Sequence, residues 1–335
     1  MHPWKPFSVA ALMLAFTAVP TGAAIVLAPT SPAKYPATTG SFTRSAGMIG
    51  GRQRSFFLYE PRDLKPGAPL LFVFHGGGGD GGEAREGTGG EFELLADRYG
   101  FLVAYPDGVG RSWNGCRKMQ NDTRERRGID DVGFVDAMIA QEIARHHIDP
   151  KHVFAVGHSN GGALAFRLIL ERPNAFAGIA AISANLPASD NMDCKPMPAP
   201  RPVMVINGTA DPVNPYNGGT NARGTSRGRV LSTDQTVQYF AMLNGLADSP
   251  QTARLPHQND SDNTWVERMS WTAPEKPSVV LYTIHGGGHV VPQPYYRFPN
   301  VVGAQTKDLD APSAIWEFFM TETGLASGLA VQQIH

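Results

Sequence analysis

The stretch "HVFAVGHSNGGALAFRL", residues 152–168, decides how the sequence is interpreted. An apolar run enters Gly157, Ser159 follows two residues later, and a helical pattern begins after Gly161. The Gly-x-Ser-x-Gly pattern alone is weak evidence, because a glycine-rich turn between a strand and a helix gives the same pattern. The order of strand, serine and helix is nevertheless the one that a nucleophile elbow needs. We therefore predict that Ser159 is a nucleophile next to the positive end of a helix.

A nucleophilic serine needs a base, and the base needs a carboxylate that orients it. In a fold with this elbow, the acid and then the base follow the serine along the chain. Asp211 lies just past the apolar run 201–208 and is predicted to be the acid, although it is also a natural turn residue before Pro212. His285 and His289 are both candidate bases. We prefer His289, because the glycines before it let the loop approach the serine.

The oxyanion of an acyl intermediate needs two backbone N–H groups. One belongs to the residue after the nucleophile, which is Asn160. The other is predicted in "FHGGGGDGG", residues 74–82, where glycines let the backbone approach a substrate. Gly77 is the preferred donor and Gly76 is the alternative. The loop lacks the glycine-lysine and spaced-glycine patterns of phosphate-binding loops, so a phosphate site is not expected.

Short, nearly continuous apolar runs alternate with helical patterns along the chain. Such runs are typical of strands covered on both faces, as in a parallel sheet. We therefore predict an α/β fold, of the α/β-hydrolase type, with a mostly parallel central sheet and helices on both faces. The predicted strands are 69–76, 101–108, 152–159, 178–184, 201–208 and 278–286, with 55–61 as an edge strand; the predicted helices are 130–147, 161–172, 232–245 and 311–322.

Two stretches, 212–231 and 249–264, interrupt this alternation and are predicted to be surface excursions. The second contains Asp260 and Asp262, which suggest calcium at first sight. They lack the glycine and the distal glutamate of an EF-hand loop, so a solvated turn is predicted instead. No metal and no organic cofactor is expected for the proposed chemistry.

Composition and charge set the class of protein. The chain has 335 residues, 42 % of them apolar and 18 % charged, with a formal net charge of -1. This composition fits a globular protein with a sizeable core. The small net charge gives no reason to expect binding to nucleic acid or to an anionic membrane.

The N-terminal residues differ from the rest of the chain. Lys5 precedes the apolar run "FSVAALMLAFTAV", and the small residues "TGAA" follow it. This order predicts a signal peptide, residues 1–24, and hence a secreted protein that is extracellular or periplasmic. The alternative is a buried N-terminal helix. No later segment reaches membrane-spanning length.

The predicted organisation continues after the signal peptide. Residues 25–44, rich in Pro, Thr, Ala and Ser, are predicted to be a flexible lead-in. The catalytic domain is then 45–322, and 323–335 form a C-terminal tail. Cys116 and Cys194 are the two cysteines, and in an exported protein such a pair is expected to be oxidised. Two unpaired buried thiols are the alternative.

With these residues in place, about residues 45–320 resemble the secreted esterase family of polyhydroxybutyrate depolymerases and feruloyl esterases. Several motifs in the same order make this resemblance more specific than the elbow alone. It implies a catalytic triad at Ser159, Asp211 and His289, and it supports a Cys116–Cys194 disulfide. The motifs are "FHGGGG", "YPDGVGRSWNGC", "DDVGFVDAMI", "GHSNGGALAFRL", "INGTADPVNPYNGG", "RGRVLS" and "GGGHVVP".

The expected function is hydrolysis of carboxylic esters through an acyl-enzyme. Some members of the resembled family that attack solid polymer carry a Thr-rich linker and a binding domain, and the sequence has neither after its last predicted helix. We therefore expect soluble or oligomeric esters, such as hydroxybutyrate oligomers or feruloylated and acetylated sugars. A serine peptidase on the same fold and a non-catalytic binding protein are the alternatives.

Aromatic residues near the predicted strand ends are candidates for the substrate pocket. Trp113, Tyr216 and Tyr295, together with Tyr296, follow those ends close to the motifs. They are predicted either to line an acyl or aromatic pocket or to pack in the ordinary way.

Overall fold

One sheet of ten strands forms the centre of the protein in the computed structural model, which describes residues 37–121, 128–197, 199–220, 227–258 and 263–325. The strands are β1 (Ser41–Ile49), β2 (Arg52–Glu60), β3 (Leu70–Phe74), β4 (Leu102–Pro106), β5 (Val153–His158), β6 (Gly178–Ile182), β7 (Val203–Gly208), β8 (Gln251–Arg254), β9 (Trp265–Ala273) and β10 (Lys276–His285). Their order across the sheet is β1-β2-β4-β3-β5-β6-β7-β10-β9-β8.

The centre of the sheet is parallel and its two edges are antiparallel. From β4 through β10, every neighbouring pair in that order runs parallel. β1 and β2 add an antiparallel edge at one side, and β9 and β8 add one at the other. Because parallel strands end at the same edge of a sheet, the loops after β3, β5, β7 and β10 meet there.

Seven α-helices are described beside the sheet: α1 (Gly81–Gly87), α2 (Glu91–Tyr99), α3 (Lys118–Asn121), α4 (Asp131–His146), α5 (Asn160–Glu171), α6 (Thr233–Leu243) and α7 (Ala311–Thr323). Local signals account for several of their starts. The Asp130 side chain accepts the N–H of Gly133 at the start of α4, and Ser232 forms a capping box with Gln235 at the start of α6. No helix in the described ranges is long and apolar enough to cross a membrane.

Apolar side chains fill both sides of the sheet. On one face Leu164 and Phe166 of α5 pack with Phe240 of α6 against the strands. On the other face Trp316 of α7 stacks on Phe101, with ring centroids 3.6 Å apart. Every residue of β3, β4, β6 and β7 is buried, as expected for strands covered on both faces.

The predicted fold class is confirmed, and the differences lie at the edges of the sheet. Residues 55–61 were predicted as an edge strand, but β2 lies between β1 and β4, and β1 is the edge. Residues 41–44 of the predicted lead-in belong to β1, and β8 lies within the predicted surface excursion 249–264. β1 and β8 were not predicted because their side chains are mostly exposed, so the sequence there lacks an apolar run.

Several predicted features lie outside the described residues. They are the signal peptide 1–24, the lead-in up to residue 36, the turn with Asp260 and Asp262, and residues 326–335 of the tail. The predicted helix 311–322 is α7, which ends one residue later at Thr323.

Candidate active site

Ser159 occupies a strained turn between β5 and α5. Its backbone has φ +56° and ψ -113°, a conformation that a side-chain-bearing residue rarely adopts. A Cβ on Gly157 would lie 2.2 Å from the backbone of Gly161, and one on Gly161 would lie 2.3 Å from the carbonyl oxygen of Phe74. Both positions therefore require glycine, and the turn is the elbow that the sequence predicts.

Asp211 and His289 form a hydrogen-bonded pair after β7 and β10. The Nδ1 atom of His289 lies 2.7 Å from Oδ2 of Asp211. The other carboxylate oxygen of Asp211 accepts the N–H groups of Val213 and Asn214 at 2.7 and 2.8 Å. The carboxylate is thereby held in place, and His289 must carry its proton on Nδ1, which leaves Nε2 with a free lone pair.

His289 is brought to this position by the chain around it. Its own N–H donates to the carbonyl of Val302 at 2.6 Å, and a Cβ on Gly288 would lie 2.2 Å from that same oxygen. The alternative base, His285, lies at the end of β10 with its ring stacked on Trp265, at a centroid distance of 3.5 Å. Of the two candidates, only His289 pairs with Asp211.

Ser159 and His289 line one cavity of about 490 Å³ at the carboxyl edge of the sheet. The glycine loop after β3, residues 76–79, lines it too. Polar and charged side chains, those of Glu83, Thr88, Arg111, Ser112 and Arg227, form part of its remaining wall. Its apolar part comes from Val73, Ala84, Val156, Ile182, Val213, Val291, Tyr296, Phe298 and Val302. The arrangement provides a nucleophile, a base and an apolar space beside them.

Two of the backbone N–H groups in the glycine loop are already bound within the protein. The N–H groups of Gly78 and Gly79 are bound by the carbonyls of Arg111 and Gly76, at 2.7 and 3.1 Å. Gly76 and Gly77 therefore remain the candidates for an oxyanion donor, in line with the sequence prediction. A Cβ on Gly76 would lie 3.5 Å from Cβ of Ser159, so this loop runs close to the nucleophile.

Asn160 begins α5, where a backbone N–H has no acceptor within the helix. Its buried side chain binds the backbone of Trp113 twice: Oδ1 accepts the N–H at 2.6 Å, and Nδ2 donates to the carbonyl at 3.0 Å. The indole N–H of Trp113 in turn donates to the carbonyl of His75 at 3.0 Å. The elbow and the glycine loop are thus joined through Trp113.

Two further histidines, His75 and His158, lie at the site and were not predicted from the sequence. Nε2 of His75 accepts the N–H of Gly108 at 2.9 Å, so Nδ1 carries the proton and faces the carbonyl of Gly76 at 2.7 Å. Burial lowers the pKa of His75 to about 4, which keeps this ring neutral at pH 7. The signal was available, since His75 opens the glycine motif.

His158 precedes the nucleophile and packs beside the base, with its ring centroid 4.8 Å from that of His289. Burial, and next the neighbouring His289, hold the pKa of His158 well below its ordinary value. A neutral ring therefore lies next to His289, where a second positive charge would oppose protonation of the base.

The predicted pocket aromatics need correction. Trp113 is fully buried and packs on Phe74 and His75. The hydroxyl of Tyr216 lies 2.8 Å from that of Thr283, and Tyr295 is 38 % exposed. None of these three lines the cavity that the described residues form, because their side chains point into the core or toward the surface. The fourth candidate, Tyr296, does line it, together with Phe298.

Cys116 and Cys194 form the expected disulfide, with their Cα atoms 4.9 Å apart. It attaches the segment that carries Trp113 to the segment after β6. Among the described residues, no group of three or more His, Cys, Asp or Glu side chains is arranged to hold a metal ion.

A family model described as alpha/beta hydrolase fold matches residues 69–292, which include the elbow, the glycine loop, Asp211 and His289. The chain belongs to the α/β-hydrolase family.

Named relatives of this α/β-hydrolase are esterases and a depolymerase. A putative esterase, NocK, of Nocardia uniformis subsp. tsuyamanensis is 31 % identical over 86 % of this chain and 85 % of its own. A probable feruloyl esterase C of Aspergillus niger is 25 % identical over 82 % of this chain and 85 % of its own. Poly(3-hydroxyalkanoate) depolymerase C of Paucimonas lemoignei is 24 % identical over 81 % of this chain and 65 % of its own. These relatives support the resemblance found in the sequence.

A solved structure supports the same fold. The acetyl xylan esterase of Aspergillus awamori aligns with a TM-score of 0.50 and 16 % identity, over 76 % of this α/β-hydrolase and 95 % of that chain. At this identity the likeness concerns the fold alone.

Proposed function

We propose that this α/β-hydrolase is a serine esterase in which Ser159, His289 and Asp211 act as a triad. The observation that carries the proposal is the Asp211–His289 pair, joined at 2.7 Å, with its imidazole lining the same cavity as the strained Ser159. The esterases among the relatives support the same reaction class, hydrolysis of carboxylic esters.

The proposed reaction begins when Nε2 of His289 takes the proton of Ser159, whose Oγ attacks the ester carbonyl. Asp211 keeps the imidazole in the required tautomer and stabilises its charged form. The backbone N–H groups of Asn160 and Gly77 bind the oxyanion, with Gly76 as the alternative to Gly77. The protonated imidazole then protonates the leaving alcohol. Water hydrolyses the acyl-enzyme with His289 as the base again.

The proposed substrates are esters with a modest apolar group next to the scissile bond. The cavity volume of about 490 Å³ falls in the range of small-molecule sites, and apolar side chains form part of its wall beside Ser159 and His289. Hydroxybutyrate-type oligomers and feruloyl or acetyl sugar esters fit this description, and the names of two relatives include feruloyl esterase and poly(3-hydroxyalkanoate) depolymerase.

We also propose that the protein is secreted. The disulfide between Cys116 and Cys194 supports this, because disulfides form and persist in oxidising compartments. The signal peptide predicted over residues 1–24 would direct the export.

The decisive experiment compares the wild type with Ser159→Ala on p-nitrophenyl butyrate. Removal of the nucleophile is expected to lower kcat by about 10⁶-fold, to the background of the assay. A fluorophosphonate probe should label the wild type at Ser159 and leave the variant unlabelled. Full activity of the variant would refute the triad.

The same experiment tests the two alternatives. A folded wild type that is neither labelled nor active on esters would indicate a binding protein. Hydrolysis of peptides at rates above those of esters would indicate a peptidase.

A further inference from the structure

Three charged side chains line the site cavity: Glu83, Arg111 and Arg227. Arg111 binds Glu83 at 2.7 Å and also Asp80 at 3.0 Å, so its charge is paired with two carboxylates. Arg227 lies elsewhere along the rim. Its Nη2 is 3.7 Å from the position that a Cβ on Gly77 would occupy. A guanidinium therefore lies beside the backbone proposed to bind the oxyanion.

The backbone that carries Arg227 is held by a buried amide side chain. Nδ2 of Asn191 donates to the carbonyls of Arg227 and Arg229 at 2.9 and 3.1 Å, and its Oδ1 accepts the N–H of Met119 at 3.0 Å. Gly228 has φ +69°, and a Cβ there would lie 2.4 Å from the Asn191 side chain. The base of the Arg227 side chain is therefore fixed relative to the segment that follows Trp113.

A second guanidinium, that of Arg117, interacts with Arg227. Arg117 has a buried Nε atom without a hydrogen-bond partner in the described part of the chain. Burial and then the charge of Arg227 lower the pKa of Arg117 to about 10, which indicates that the two cations interact. Cations that interact in this way add to the positive potential at Arg227, which favours an anion there.

We propose that Arg227 binds a carboxylate that the substrate carries a few bonds from the scissile ester, so that anionic esters are preferred to uncharged ones. The inference rests on the proposed function and narrows its substrate class. In an ester of a 3-hydroxy acid, two carbons separate the ester oxygen from the carboxylate. This spacing suits a carboxylate next to Gly77 while the ester carbonyl is held by the oxyanion donors. Sugar esters of ferulic or acetic acid lack such a group.

A matched pair of substrates tests the proposal: 3-acetoxybutyrate and 3-acetoxybutyramide. They share the acetyl ester and differ in whether the far end is a carboxylate or a neutral amide. The measured quantity is kcat/KM for the anionic substrate divided by kcat/KM for the neutral substrate. We expect Arg227→Gln to lower this ratio by roughly ten- to a hundredfold, because a charge-assisted bidentate contact is lost. Arg227→Lys should give an intermediate ratio, since lysine keeps the charge without the fork.

The matched control is Arg229→Gln. Arg229 lies two residues away, and its side chain is 65 % exposed and pairs with Asp190 at 3.7 Å. This variant loses the same charge and should keep the wild-type ratio. An unchanged ratio in Arg227→Gln, or an equal fall in both glutamine variants, would overturn the proposal.

The outcome for Ser159→Ala separates this inference from the proposed function. Acetate release that survives in Ser159→Ala would refute the triad whatever the ratios are. An inactive Ser159→Ala combined with a constant ratio in Arg227→Gln would refute the carboxylate site alone. Fluorophosphonate labelling of Arg227→Gln checks that its active site is folded. If that variant does not fold, the ratio measured for Arg227→Lys tests the proposal instead.

Discussion

The two walls of the cavity are held by different interactions. The triad wall, formed by Ser159, Asp211 and His289, depends on a carboxylate and an imidazole joined at 2.7 Å. The glycine wall, formed by residues 75–79 with Trp113 behind them, depends on hydrogen bonds to backbone groups and on close backbone packing. One of these bonds comes from the Arg111 guanidinium, which donates to the carbonyl of Gly78. One wall is suited to moving a proton, and the other to holding N–H groups still. The difference predicts that variants in the two walls fail in different ways.

After removal of the nucleophile itself, the largest loss of activity is expected from Asp211→Asn. An amide at this position can keep the geometry but favours the wrong tautomer of His289, so kcat should fall by about 10⁴-fold with little change in stability. Stopped assays on p-nitrophenyl butyrate, with thermal unfolding beside them, measure both. His285→Gln is the matched control, since this histidine ends β10, the strand before His289, and its ring stacks on Trp265. A comparable loss of kcat in His285→Gln would indicate that His285, and not His289, is the base.

A smaller loss is expected from His75→Phe in the glycine wall. Phenylalanine keeps a ring but can neither accept the N–H of Gly108 nor donate to the carbonyl of Gly76. The oxyanion donors should become less well fixed, so kcat should fall by about 10²-fold while KM changes little. Steady-state kinetics separate the two constants. A rise in KM with constant kcat would contradict this role, and would indicate a part in substrate binding.

The smallest effect on activity is expected at Glu91, a buried acid outside both walls, where the change concerns stability. Glu91, at the start of α2, faces Asp310, and its pKa is raised to about 9, first by burial and then by that neighbour. In the unfolded state Glu91 loses its proton above its ordinary pKa of 4.5, whereas in the native state it keeps that proton up to a pH of about 9. The contribution of Glu91 to stability is therefore progressively lost between pH 4.5 and about 9.

Glu91→Gln should remove this decline, because glutamine keeps a hydrogen-bond donor toward Asp310 without titrating. Urea unfolding at pH 5, 7 and 9 measures the free energy of unfolding at each point. The wild type should lose stability relative to the variant as the pH rises. Parallel curves for the two proteins would mean that Glu91 is already ionised in the native state at neutral pH.

The sequence predicts the centre of the sheet well and its edges poorly, for a physical reason. β3, β5 and β7 are covered on both faces, so their residues form apolar runs that mark them directly. β1 and β8 are exposed over most of their length, and most residues of β9 are only partly buried, so each depends on pairing with a neighbour that the sequence does not specify.

The same contrast applies to the site. Ser159, Asp211 and His289 occur in motifs with a fixed order, and the structure brings Asp211 to His289 as that order predicts. Trp113 is different, because its position in a motif does not reveal which way its ring points. It lies in the core beneath the elbow, while Tyr296 and Phe298 reach the cavity from a loop whose path sequence alone does not fix.

The disulfide has a consequence for the connectivity of the chain. Cys116 and Cys194 are 78 residues apart, and β5, Ser159 and α5 lie between them, within a covalent ring. A protease that cuts once anywhere in this ring opens it without separating the two fragments, because the disulfide still joins them. Such a nicked molecule would migrate as an intact chain on a gel until the sample is reduced.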